Sequence, residues 1–120
     1  MESSVPWAKP EEVNKGWLAK LVDHIYETAG CSEALTKNVI AEMLMDVLLF
    51  DKKQHDYGSD NIGAFGELGV LVRANDKLAR LRNLLYNRPD EPSNESVRDS
   101  WQDLSVYGVI ARIVRRGDWK

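Results

Sequence analysis

One cysteine, Cys31, stands in 120 residues, which rules out a disulfide framework and a cysteine-built metal centre. No apolar run approaches the roughly 20 residues a membrane-spanning helix needs, so no membrane association is expected. The opening MESSVPWAKPEE lacks the basic-then-apolar order of a signal peptide. With the lone cysteine, this makes the cytoplasm the expected location. Positive charge is not in excess either. A net charge of −3 and a pI near 5.4 argue against a nucleic-acid partner, although local basic patches remain open. There is no P-loop, dinucleotide fingerprint, zinc spacing or nucleophile elbow. His24 and His55 have no partner histidine or nucleophile nearby in sequence and read as surface or helix-end residues.

What is present is helical. The apolar share of 43% and charged share of 29% are those of an ordinary globular chain long enough for one core. Residues 1–9 read as a flexible lead-in and residues 10–120 as a single helical domain. Pro10-Glu11-Glu12 opens a first helix, Trp17, Leu18, Leu21, Val22 and Ile25 recur at helical spacing, and Gly30 stops it. A second helix runs from near Ser32 to about residue 55 and is apolar almost all round, so it is expected to be the most buried. Asp60 can cap a third helix ending near Tyr86. Ser93 or Asn94 can cap a fourth, running to Gly117. No stretch alternates as a strand would. The expectation is an all-α four-helix bundle.

The charges sit in a telling pattern. On the fourth helix Glu95, Asp99 and Asp103 follow one another at four-residue spacing, on the same line as Val106, Ile110 and Ile113. The acids thus share a line with residues that look like core. On the third helix Leu71, Ala74, Leu78, Leu81 and Leu85 make an apolar stripe with Glu67 on its N-terminal extension. Arg73, Lys77 and Arg80 lie on another face, with Asp76 beside them. Buried carboxylates must be neutralised, paired or bound to a cation, and several from neighbouring helices suit Mg²⁺ or Mn²⁺. The basic row can hold phosphates, or it can be a solvated face of intrahelical ion pairs. Glu42 and Asp46 repeat the acidic spacing on the second helix.

The strings KKQHDYGSDNI, FGELGVLVRANDKLARLRNLL and NESVRDSWQDLSVYGVIA, with the closing Gly117-Asp118-Trp119, resemble the nucleotide-modification-associated domain of phages and bacteria over about residues 52–119. That family is similar in plan to the all-α nucleoside triphosphate pyrophosphohydrolases of the MazG and dimeric dUTPase type. The resemblance implies a Mg²⁺-dependent reaction in phage-type deoxynucleotide metabolism, in host cytoplasm. Water attacks the α–β phosphate linkage, giving a nucleoside monophosphate and pyrophosphate. It also implies a homo-oligomer, with a dimer favoured, and the nucleotide's phosphates as partner. Glu67, Glu95, Asp99 and Asp103 are the implied metal ligands, with Glu67, Asp99 and Asp103 catalytic and Glu42 and Asp46 as outer candidates. Lys53, Arg73, Lys77 and Arg80 are the phosphate candidates, and Tyr57 and Tyr107 can stack on a base. The family's acidic motifs are E-x-x-E and E-x-x-D. Here Asp99 and Asp103 stand four apart, and Glu67 is followed three residues later by Val70. Two further readings therefore stay open, a nucleotide-binding module without hydrolysis and a helical protein that engages a host partner.

Overall fold

The computed structural model describes residues 16–87 and 96–120, and among these all regular structure is helical. The helices are α1 (Trp17–Thr28), α2 (Leu35–Tyr57), α3 (Asp60–Gly63), α4 (Gly66–Arg82) and α5 (Val97–Arg115). A π-helical turn, Asn83–Asn87, prolongs α4. The expected lead-in, the Pro10 opening, the cap at Ser93 or Asn94, and Glu95 lie outside the described residues. Among the described residues no helix is long and apolar enough to cross a membrane. The chain divides into two compact units, residues 1–53 and 54–120.

In the first unit, Leu18 and Val22 of α1 close over Met45 of α2, with Ile40, Ala41 and Leu44 packed around them. Each fully buried aliphatic side chain of this kind contributes about 1.5–3 kcal/mol. The remainder of α2 is more open than its composition suggests, since Leu35, Val39, Met43 and Val47 are all at least half exposed. One twelve-residue helix, α1, covers only a single line of the longer α2. Gly30 ends α1 as expected. At φ +72° it lets its own N–H reach the Glu27 carbonyl while Cys31 N–H reaches that of Tyr26.

The second unit is built on α4 and α5, which pack along each other. They run antiparallel, because Glu67 at the start of α4 meets Arg115 at the end of α5, whereas Arg80 near the end of α4 meets Ser100 near the start of α5. The third expected helix is in fact two. A single turn, α3, begins at Asp60, and the chain breaks at Ala64-Phe65 before α4 starts at Gly66. Asp60 is the first residue of that turn rather than the cap of the long helix. The C-terminus is tied back to this break. The Cδ1–Nε1 edge of the Trp119 indole abuts Gly63, where any Cβ would collide with it, and its Nε1 donates to the Ser59 carbonyl at 2.8 Å.

The core line of α4 differs from the expected stripe. Val70 and Leu81 are buried and Ala74, Lys77 and Leu84 half-buried, whereas Leu71, Leu78 and Leu85 are exposed. The face toward α5 is turned by about one residue, about 100° around the helix. On α5 the expected line holds better, with Ile110 buried and Val106 and Ile113 half-buried.

Candidate functional site

The line that carries Ile110 into the core also carries Asp103 there. Asp103 is buried, and its Oδ2 lies 3.0 Å from Nζ of Lys77, which sits on the core-facing line of α4. The acid aimed at the core is thus met by a cation aimed at the same place. One turn earlier, Ser100 is completely buried, and its Oγ accepts a hydrogen bond from an Arg80 guanidinium nitrogen at 2.7 Å. These contacts answer the demand that a buried polar group find a partner.

Asp99 has a different occupation. The first turn of α5 is a reciprocal cap, in which Asp99 N–H donates to Ser96 Oγ at 3.0 Å and Ser96 N–H donates to Asp99 Oδ2 at 3.4 Å. A carboxylate here also gains from the helix dipole. Glu67 is at the opposite end of the hairpin, paired with Arg115 at 3.2 Å and well exposed. Glu42 and Asp46 are on α2, within the first unit. Among the described residues no three His, Cys, Asp or Glu side chains converge as a metal-holding group. Glu67, Asp99 and Asp103 each meet a different protein partner. As placed, they do not fit a shared Mg²⁺ or Mn²⁺ site, and no chemical step can be drawn through a metal held by them.

The basic row is brought together. Arg73, Asp76, Lys77 and Arg80, on one face of α4, line an open cleft of about 280 Å³ together with Tyr107 of α5. Arg73 is steadied by a hydrogen bond to Asn61 Oδ1 at 3.2 Å, which ties the cleft wall to α3. Arg80 is steadied by Ser100. Four of the six expected binding residues (Arg73, Lys77, Arg80 and Tyr107) therefore share one cleft. The lining, drawn wholly from the second unit, does not include Lys53 or Tyr57, both exposed on α2.

Two contributors were not foreseen. Ser100 and Arg115 hold cleft and hairpin together, yet a serine and a C-terminal arginine carry little signal on their own. Ser100 was findable, because it shares with Asp103 and Ile110 the three- and seven-residue steps of a buried helix face. His24 and His55 are both exposed, and Cys31 is a free, partly buried thiol. No family model, curated protein or solved structure matches this chain.

Proposed function

We propose that the second unit binds a nucleotide through its phosphate groups and holds it without cleaving it. The observation that carries this reading is the cleft in which Arg73, Lys77 and Arg80 converge beside the Tyr107 ring. A guanidinium presents paired N–H donors that match two phosphate oxygens, and two such forks one α4 turn to either side of a lysine suit a phosphoryl group. An aromatic ring at the cleft edge offers a stacking face for a base. The resemblance over residues 52–119 points to the same ligand class. Hydrolysis draws less support, because it asks for converging carboxylates.

Calorimetry against a panel of canonical and modified nucleoside mono-, di- and triphosphates, with and without Mg²⁺, tests the reading. Binding is expected, with the nucleotide recovered intact. Arg73→Met, which removes one cation whose own protein contact is an exposed one, is expected to weaken binding about tenfold, the loss of one charged hydrogen-bonding group. Absence of binding across the panel overturns the proposal. Release of pyrophosphate with Mg²⁺ overturns its non-hydrolytic half and restores the pyrophosphohydrolase reading.

A further inference from the structure

The turn α3 is too short to stand alone. A single helical turn orders several residues for one hydrogen bond, here from Gly63 N–H to the Ser59 carbonyl at 3.3 Å. Both ends of that turn are held by one residue from far along the chain. The Trp119 indole donates to the same Ser59 carbonyl at 2.8 Å, and its Cδ1–Nε1 edge abuts Gly63. The tail that delivers this indole is itself fixed. Gly117, at φ +85°, turns the chain off α5, and Arg116 Nε donates to Asp118 Oδ2 at 2.7 Å. Between the two clamped ends of α3 stands Asn61, whose Oδ1 accepts from an Arg73 guanidinium nitrogen at 3.2 Å.

We infer that Trp119 and Asn61 are positioning residues for the cleft. The C-terminal tail fixes the α3 turn, the turn fixes Asn61, and Asn61 presents the Arg73 guanidinium to a ligand. Arg73 is exposed. A long exposed side chain surrenders rotamer freedom when a ligand immobilises it, so one already held binds more tightly. One of the guanidinium N–H bonds is spent on Asn61, which leaves others for ligand oxygens. An asparagine suits this task better than a carboxylate, since its neutral oxygen orients the cation without cancelling its charge. The coupling is reciprocal, so a ligand that holds Arg73 also steadies the turn and the tail. That the ligand carries a phosphate rests on the function proposed above; the positioning of Arg73 does not.

Side-chain ¹⁵Nε relaxation of the full chain, without ligand, tests the positioning. Arg73 is expected to be more ordered than Arg82, an exposed arginine of the same helix. Asn61→Ala and Trp119→Ala are each expected to bring Arg73 to the mobility of Arg82. Arg80, which Ser100 holds from α5, is expected to stay as ordered as in the parent. If Trp119→Ala fails to fold, Trp119→Phe decides, with Arg73 loosened part of the way.

In titrations with inorganic phosphate, Asn61→Ala is expected to weaken binding about threefold, less than loss of the whole Arg73 cation. In an Arg73→Met background the same change is expected to have no effect, because Asn61 acts through Arg73. An Arg73 equally ordered in parent and variants overturns the inference. So does an Arg80 loosened as much as Arg73, the mark of general destabilisation, and so does an Asn61 effect that persists without Arg73. If neither inorganic phosphate nor any nucleotide binds, the proposed function falls, while the Arg73 relaxation still decides the role of the tail.

Discussion

Removing the Asp103 carboxylate tests the central contact of the second unit. In Asp103→Ala the Lys77 ammonium loses the counter-charge 3.0 Å away, in a place where the two side chains keep only 22% and 10% of their surface exposed. Breaking a fully buried pair costs about 3–5 kcal/mol, because the surviving charge is left in a poor solvent. Lys77 has a flexible four-carbon stem and some access to water, which lowers the expected loss to about 2–3 kcal/mol. Replacing both partners separates this account from simple loss of packing. Lys77→Met with Asp103→Leu removes both charges and keeps the volume, and is expected within about 1 kcal/mol of the parent protein. The assay is urea unfolding by circular dichroism, paired with amide hydrogen exchange of α4 and α5. Exchange resolves the second unit on its own if the two units of the chain unfold separately. A loss below about 0.5 kcal/mol for Asp103→Ala refutes the reasoning. So does a double variant as unstable as the single one.

The Glu67 to Arg115 pair is the contrasting case. It is exposed on both sides, so Glu67→Ala is expected to change stability by less than about 0.5 kcal/mol in the same unfolding assay. At the other anchor, Trp119→Ala removes an indole seated on Gly63, with an expected loss of about 2–3 kcal/mol and faster amide exchange across residues 59–63. Trp119→Phe keeps most of the packing but loses the donor to the Ser59 carbonyl, for an expected loss of about 1 kcal/mol; a phenylalanine variant as stable as the parent denies that bond its role.

Helix punctuation was the most legible part of the sequence. Gly30 and Gly117 end α1 and α5 with the same arrangement; at the latter, Gly117 N–H donates to the Val114 carbonyl and Asp118 N–H to that of Ile113. Those stops depend on backbone conformation, which a residue type reports directly. The break at Ala64-Phe65 was overlooked although glycines flank it and Gly66 takes a φ of +66°; the tie holding the turn comes from Trp119, far along the chain. The core line of α4 was misplaced for a related reason. Both Leu71-Leu78-Leu85 and Val70-Ala74-Leu81 are apolar lines at helical spacing. Periodicity cannot say which of two apolar faces meets α5, whereas the half-buried Lys77 on the second line, opposite Asp103, settles it in the fold. The cleft residues were legible as a set because four of them lie on one helix face. Of the described acids on the α5 line only Asp103 is buried, whereas Asp99 is exposed at the helix start; their partners were not legible, since these come from another helix or from the helix's own first turn.

The same pairing governs what the cleft can hold. Three cations line it, yet Lys77 is balanced by Asp103, and Asp76 offsets a second charge. The surplus is then about one positive charge, carried by the arginines at either end of the row. At an effective dielectric of about 20, opposite unit charges 4 Å apart attract by about 4 kcal/mol, so a single phosphoryl group finds real attraction there. A triphosphate brings further negative charge past Asp76, an acid on the same wall. Asp103 therefore does two jobs at once. It pairs with the lysine at the α4–α5 contact, and in doing so it offsets the charge that lysine shows to a ligand. An acid on a core-facing line looked, from sequence, like half of a metal site. In the folded hairpin it is the counter-charge that lets a row of cations run partly through the core.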